Sequence, residues 1–173
     1  MDDARSQLLD RIVDEVAVNG LADRSLRDVA EAIGSSHRML NYHFGSRAGL
    51  VTAIVETVEA AQRDLLAELS AEIDDPIDLA RALWDRTVAP EMLPFVRLFF
   101  ECVALTGGQG LTDPWIARSL EVSDRLDVAT DEDELRLGVA VTRGLLIDVL
   151  ASSDASKATK AFERYLEMWR ATQ

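Results

Sequence analysis

Apolar residues along this chain recur every three or four positions rather than every second one, and the pattern is broken at intervals by helix stop signals. Leu8, Leu9, Ile12, Val13 and Val16 define one helical face that ends at Asn19-Gly20. Ser25, with Asp28 three residues on, approximates a capping box for a second helix of about two turns. Its apolar face is Leu26, Val29, Ala30 and Ile33, and Gly34 ends it. Ser35 and Ser36 offer another N-cap, so a short third helix is predicted through His37 to Phe44 and stopped by Gly45, with Met39, Leu40 and Phe44 turned inward. Ser46 then caps a long fourth helix, whose stripe from Leu50, Val51 and Ile54 to Leu66 and Leu69 runs to the break at Asp74-Asp75-Pro76.

Further helices are predicted at roughly 76–89, 90–106, 114–129, 132–151 and 155–171, separated by Pro90, the Gly107-Gly108-Gln109-Gly110 run, the acidic DEDE run and a Ser/Asp turn. TGGQGLTDP is the longest expected loop and the expected mobile one. The fold class is therefore all-α. An N-terminal three-helix helix-turn-helix domain spans residues 1–46, and a C-terminal helical domain spans 47–173.

Charge narrows the picture. With 18 Lys+Arg against 31 Asp+Glu, the 173-residue chain has a net charge of −13 and repels polyanions at long range, so any nucleic-acid site has to be local. Residues 1–50 hold six arginines and eight acids, which leaves most of the negative charge in the C-terminal part. The lone Cys102, in the apolar run FFECVAL, reads as a buried reduced thiol. No basic leader followed by an apolar stretch and no run of about 20 apolar residues is present, which predicts a cytoplasmic protein with no membrane partner.

One stretch departs from the acidic background. GSSHRMLNYHFGSR, Gly34 to Arg47, holds both histidines of the chain and no acid, and the acid-free window extends from Glu31 to Glu56. On a helix capped by Ser36, His37, Arg38 and Asn41 lie on the face away from Leu40 and Phe44. The first turn of such a helix suits the major groove, where Arg matches guanine O6/N7 and Asn matches adenine N6/N7. Tyr42 and His43 can donate to phosphate, and Ser25, Ser46 and Arg47 sit at helix starts where flanking phosphates would lie. The histidines are six apart, unsuited to a shared metal, and neither a metal nor a cofactor is expected.

SLRDVAEAIGSSHRMLNYHFGSRAGLVTAIV resembles the DNA-binding signature of the TetR family of bacterial transcriptional regulators. The match covers about residues 8–58, with departures: Asn41 where Tyr is common, Arg47 for Lys, and Ser35 for a frequent Val. The resemblance implies a homodimer that binds a palindromic operator through helices one to three. It also implies an effector pocket within helices four to seven, dimerisation through the last two helices, and repression relieved by a small molecule. Ser25, Ser36, His37, Arg38, Asn41, Tyr42, His43 and Arg47 fall where members of that family touch DNA.

The middle helices gather large side chains, and Trp84, Met92, Phe95, Phe99, Cys102, Trp115 and Arg118 are candidate lining for an apolar or amphipathic effector, with packed core as the alternative. Arg97, Thr106, Gln109 and Arg143 are further polar candidates. In LRLGVAVTRGLLIDVLAS the apolar residues lie on nearly every side, and AFERYLEMWR crowds the large Phe162, Tyr165, Leu166, Met168 and Trp169. Leu137, Val141, Leu145, Phe162, Tyr165 and Trp169 are expected at a dimer interface, with burial within one protomer as the alternative, and Gly138 and Gly144 allow close backbone approach. No nucleophile triad, HExxH or phosphate-cradling glycine loop occurs, so an enzyme is not expected. The acidic balance leaves open a related module that binds a small molecule or protein but not an operator.

Overall fold

The computed structural model describes residues 2–108 and 111–171. Among them are nine helices: α1 (Asp2–Asn19), α2 (Leu26–Ala32), α3 (His37–Phe44), α4 (Arg47–Glu72), α5 (Pro76–Thr87), α6 (Leu93–Thr106), α7 (Asp113–Arg125), α8 (Glu132–Ser152) and α9 (Ala155–Arg170). The fold class is all-α, as the periodicity predicts. Two helices are shorter than expected. Pro90 to Met92 form a turn closed by Met92 N–H to Ala89 C=O, so α6 starts at Leu93 with Pro94 in its first turn. At the other end of the loop region, α7 ends at Arg125, and Asp127 takes a left-handed φ of 54°. Gln109 and Gly110 of the predicted mobile loop lie outside the described residues.

Caps set most of the boundaries. Ser25 and Asp28 form a reciprocal capping box, and the Ser25 hydrogen bonds hold the Asp28 carboxyl below its ordinary pKa. Asp75 caps α5 through the Ile77 and Asp78 amides with Pro76 inside the first turn, Asp131 caps α8, and Asp154 caps α9.

The chain divides into two compact units, Met1–Ala60 with Pro94–Gln109, and Ala61–Leu93 with Gly110–Gln173. This differs from the expected division after residue 46. Three helices of 18, 7 and 8 residues offer little apolar surface of their own. The first half of α4 and most of α6 join them, contributing the buried Leu50, Val51, Ile54, Val55, Leu98 and Cys102.

Two side chains from those added helices hold the α1–α2 turn. The Arg47 guanidinium on α4 donates through Nε to the Arg24 carbonyl at 2.9 Å, and through Nη2 to the carbonyls of Leu21 at 2.9 Å and Ala22 at 2.7 Å. The Glu101 carboxylate on α6 accepts from the Leu21 amide at 3.1 Å. Arg11 donates to the Ile33 carbonyl at the end of α2, tying that helix to α1.

In the second unit α8 packs along α9 and α7, and α5 packs on α9. Trp84 is 2% exposed, stacks on Phe162 at 4.6 Å and donates its indole N–H to Thr159 Oγ1 at 2.9 Å. Arg81 grips Glu163 with two parallel bonds, and this holds the Glu163 carboxyl below its ordinary pKa. A second cluster forms around Leu66, Leu79 and Val122, with Leu83 and Trp115 packed against it.

Arg47→Met is expected to lower stability by about 1–3 kcal/mol, because it strips donors from three carbonyls of one turn. Glu101→Ala should lose more than Glu101→Gln, which keeps an acceptor for the Leu21 amide. Urea unfolding of the three variants measures both differences.

Candidate nucleic-acid interface

The turn that joins α2 to α3 is closed by its backbone. The Ser35 amide donates to Ala30 C=O at 2.8 Å and the Gly34 amide to Glu31 C=O at 3.1 Å, with Gly34 at φ +65°. This is the Schellman closure, and its left-handed residue is one that a side chain would strain. Ser36 then starts α3 with its hydroxyl accepting from the Met39 amide at 3.1 Å. Gly45, at φ +72°, ends the helix with its amide on Asn41 C=O.

Only Leu40 and Phe44 of α3 are buried. At about 100° per residue, the direction opposite their midpoint is that of Tyr42, with Arg38 about 40° to one side and Met39 about 60° to the other. Exposure follows this geometry: Tyr42 is 74% exposed and Met39 45%. His37, Arg38 and Asn41 are exposed as well, while His43 is half-buried beside Tyr42, ring centroids 5.0 Å apart. All four of His37, Arg38, Asn41 and Tyr42 are thus exposed, but they do not share one face: Arg38 and Tyr42 point outward with Met39, Asn41 lies at the flank, and His37 sits at the helix start about 20° from the direction of Phe44. Met39 is a correction: it adjoins Leu40 in sequence, but one helical step carries it off the buried stripe.

Other predicted contacts sit differently. Ser25 is exposed, and its hydroxyl is engaged with Asp28 in the cap. The Ser36 hydroxyl is likewise a cap, at the exposed start of α3. Arg47 is half-buried, with its guanidinium on the α1–α2 turn. Arg5, not singled out from the sequence, lies over the Phe44 ring at 5.3 Å from its centroid, so it approaches the C-terminal end of α3.

The predicted effector residues fall into separate units. Phe95, Phe99 and Cys102 belong to the first; Trp84, Met92, Trp115 and Arg118 belong to the second. Phe95, Phe99, Met92 and Trp115 are half-buried, Trp84 and Cys102 are buried, and Arg118 pairs with Glu121. Burial, with the neighbouring Glu101 charge, pushes the Cys102 thiol up to about 12, which keeps it protonated and unreactive. A cleft of about 50 Å³ in the second unit is lined by Ile77, Arg81, Glu163, Leu166, Glu167 and Arg170, none of them predicted. Among the described residues no cluster of His, Cys, Asp and Glu could hold a metal, and no helix is long and apolar enough to cross a membrane.

Of the predicted interface residues, Leu137 is exposed, and Val141, Leu145, Tyr165 and Trp169 are half-buried. Phe162 is a correction: its stacking on Trp84 makes it part of the second unit's own core. A Cβ at Gly138 would meet the Tyr165 hydroxyl at 2.8 Å, so the close neighbour of this glycine is a side chain of the same protomer rather than a backbone. Gly144 has open space beside it, on an exposed line with Leu137, Ala140 and Ile147.

No family model matches the chain, and no curated protein matches it. Solved structures do. A TetR-family transcriptional regulator from Pectobacterium atrosepticum aligns over 98% of this chain and 93% of its own, with a TM-score of 0.78 and 21% identity. The multidrug binding protein EbrR in complex with imidazole aligns over 95% and 90%, with a TM-score of 0.68 and 23% identity. EbrR in complex with ethidium aligns over 95% and 99%, at 0.65 and 23%. The chain therefore has the fold of these proteins over 95% or more of its length.

Ser36→Ala removes the α3 cap without touching a buried side chain, and is expected to cost about 1 kcal/mol in urea unfolding. Ser36→Asp, which restores an acceptor, should recover most of that loss.

Proposed function

We propose that this chain is a DNA-binding transcriptional regulator of the TetR type, a repressor that binds a palindromic operator as a homodimer and is released by a small molecule. The observation that carries the reading is the acid-free, solvent-facing side of α3, N-capped by Ser36 and bearing Arg38, Asn41 and Tyr42 in a chain of net charge −13.

In this reading α3 enters the major groove with its first turn leading. Arg38 forks onto guanine O6/N7, and Asn41 bonds an adenine edge or a phosphate. His37, Tyr42, His43 and the exposed N-terminal ends of α2 and α3 at Ser25 and Ser36 meet phosphates. Arg47 contributes by fixing the turn that sets α2, and its charge also lies close to the expected path of the backbone. With so few cations, the salt dependence of binding should be shallow.

The exposed line of Leu137, Ala140, Gly144 and Ile147 on α8, with Met168 exposed on α9, supports a second copy as the partner of that face. Val141, Leu145, Tyr165 and Trp169 would be covered with it. A two-fold dimer presents two α3 helices and so asks for two half-sites. EbrR, the multidrug binding protein of the same fold, takes ethidium, and the half-buried Phe95, Phe99 and Phe100 of α6 here favour an apolar or amphipathic effector. The reaction class is binding, with no catalytic group assigned. The net negative charge favours one competing reading, a module of this fold that binds its ligand without an operator.

Selection from a random duplex pool is expected to enrich an inverted repeat. Arg38→Ala should weaken binding to the enriched duplex by about 1–3 kcal/mol and relax one position per half-site, at unchanged stability. Failure to enrich any sequence would favour the operator-silent module.

A further inference from the structure

Met39 is the residue of α3 whose surroundings its type does not explain. It sits in the first turn of the helix, its amide held by Ser36 Oγ, and its side chain is 45% exposed between Tyr42 and His43 on the helical wheel. Leu40 is fully buried and Phe44 nearly so, and these two form the inward face of α3. Met39 extends the outward face that Arg38 and Tyr42 also occupy.

Resting on the proposed function, we infer that Met39 is a specificity-determining residue that reads the C5-methyl group of a thymine in each half-site. The major-groove edges of the bases carry donors, acceptors and one apolar group, the thymine methyl. A thioether side chain has no hydrogen to donate and accepts only weakly, so it gains nothing from the polar groups of the other bases and keeps water from them. Against a methyl it buries apolar surface on both partners, and its unbranched chain adapts to the groove. Arg38 and Met39 are consecutive and lie on either side of Tyr42, so the two bases they read are neighbours. A guanine for Arg38 is expected within about two base steps of the thymine for Met39, given a rise of about 3.4 Å per step.

Thymine and uracil differ by that methyl group alone, which makes the test specific. Duplexes carrying the selected site are made with each thymine replaced in turn by uracil, and their affinities are measured for wild type, Met39→Ala and Met39→Leu. Both substitutions keep good helix formers at an exposed position, and unfolding curves check that the fold is intact. For wild type, one thymine per half-site is expected to lose about fourfold in affinity on replacement. For Met39→Ala the same replacement should change affinity little, and Met39→Leu should restore part of the discrimination. A wild type that binds a selected duplex but tolerates every replacement, or loses equally with and without Met39, overturns this inference alone. A wild type that selects no duplex overturns it together with the proposed function.

Discussion

The turn between α1 and α2 is held by a guanidinium and a carboxylate, and the placement of α3 depends on that hold. α2 has seven residues and α3 eight, lengths at which an isolated helix does not persist in water. Their arrangement is imposed from outside, by Arg47 on the carbonyls of Leu21, Ala22 and Arg24, by Glu101 on the Leu21 amide, and by Arg11 on the last carbonyl of α2. The forked guanidinium suits this task because its donors diverge in fixed directions and can serve several carbonyls at once. Once α2 is fixed, the Schellman closure at Gly34 and the Ser36 cap leave α3 a single orientation.

The same economy bears on the charge of an acidic chain for which a DNA-binding face on α3 is proposed. Arginines of the N-terminal unit serve the fold: Arg11 and Arg47 bond backbone carbonyls, Arg24 pairs with Glu15, and Arg5 lies over Phe44. Arg38 is the arginine of α3 itself and is exposed. Long-range attraction is therefore weak, and discrimination has to come from close contacts on a face where carboxylates are absent. Under the proposed function, such a protein gains little from non-specific binding.

Much of this was legible in the sequence because local chemistry sets it. Ser25, Ser36, Asp75-Pro76 and Gly45 fix helix ends through hydrogen bonds spanning two to four residues, so the sequence pattern reports those boundaries closely. What was missed depends on distant partners. Arg47 finds its acceptors 23 to 26 residues away, and Glu101 finds Leu21 across 80 residues, separations that no periodicity reports. The contribution of α6 to the N-terminal unit was hidden for the same reason. Met39 is apolar yet exposed, because its helical angle separates it from Leu40 and hydrophobicity alone does not report burial. Phe162 was assigned to an outer surface, where only the tertiary approach of Trp84 reveals it as core.

Backbone amide hydrogen exchange of the intact chain, with and without its selected duplex, tests most directly whether α3 is the reading element. Added DNA should slow exchange from Ser36 to Tyr42 and at the start of α2, with the α1–α2 turn protected in both states. Protection confined to α8 and α9, or no change at α3 under saturating duplex, would contradict the account.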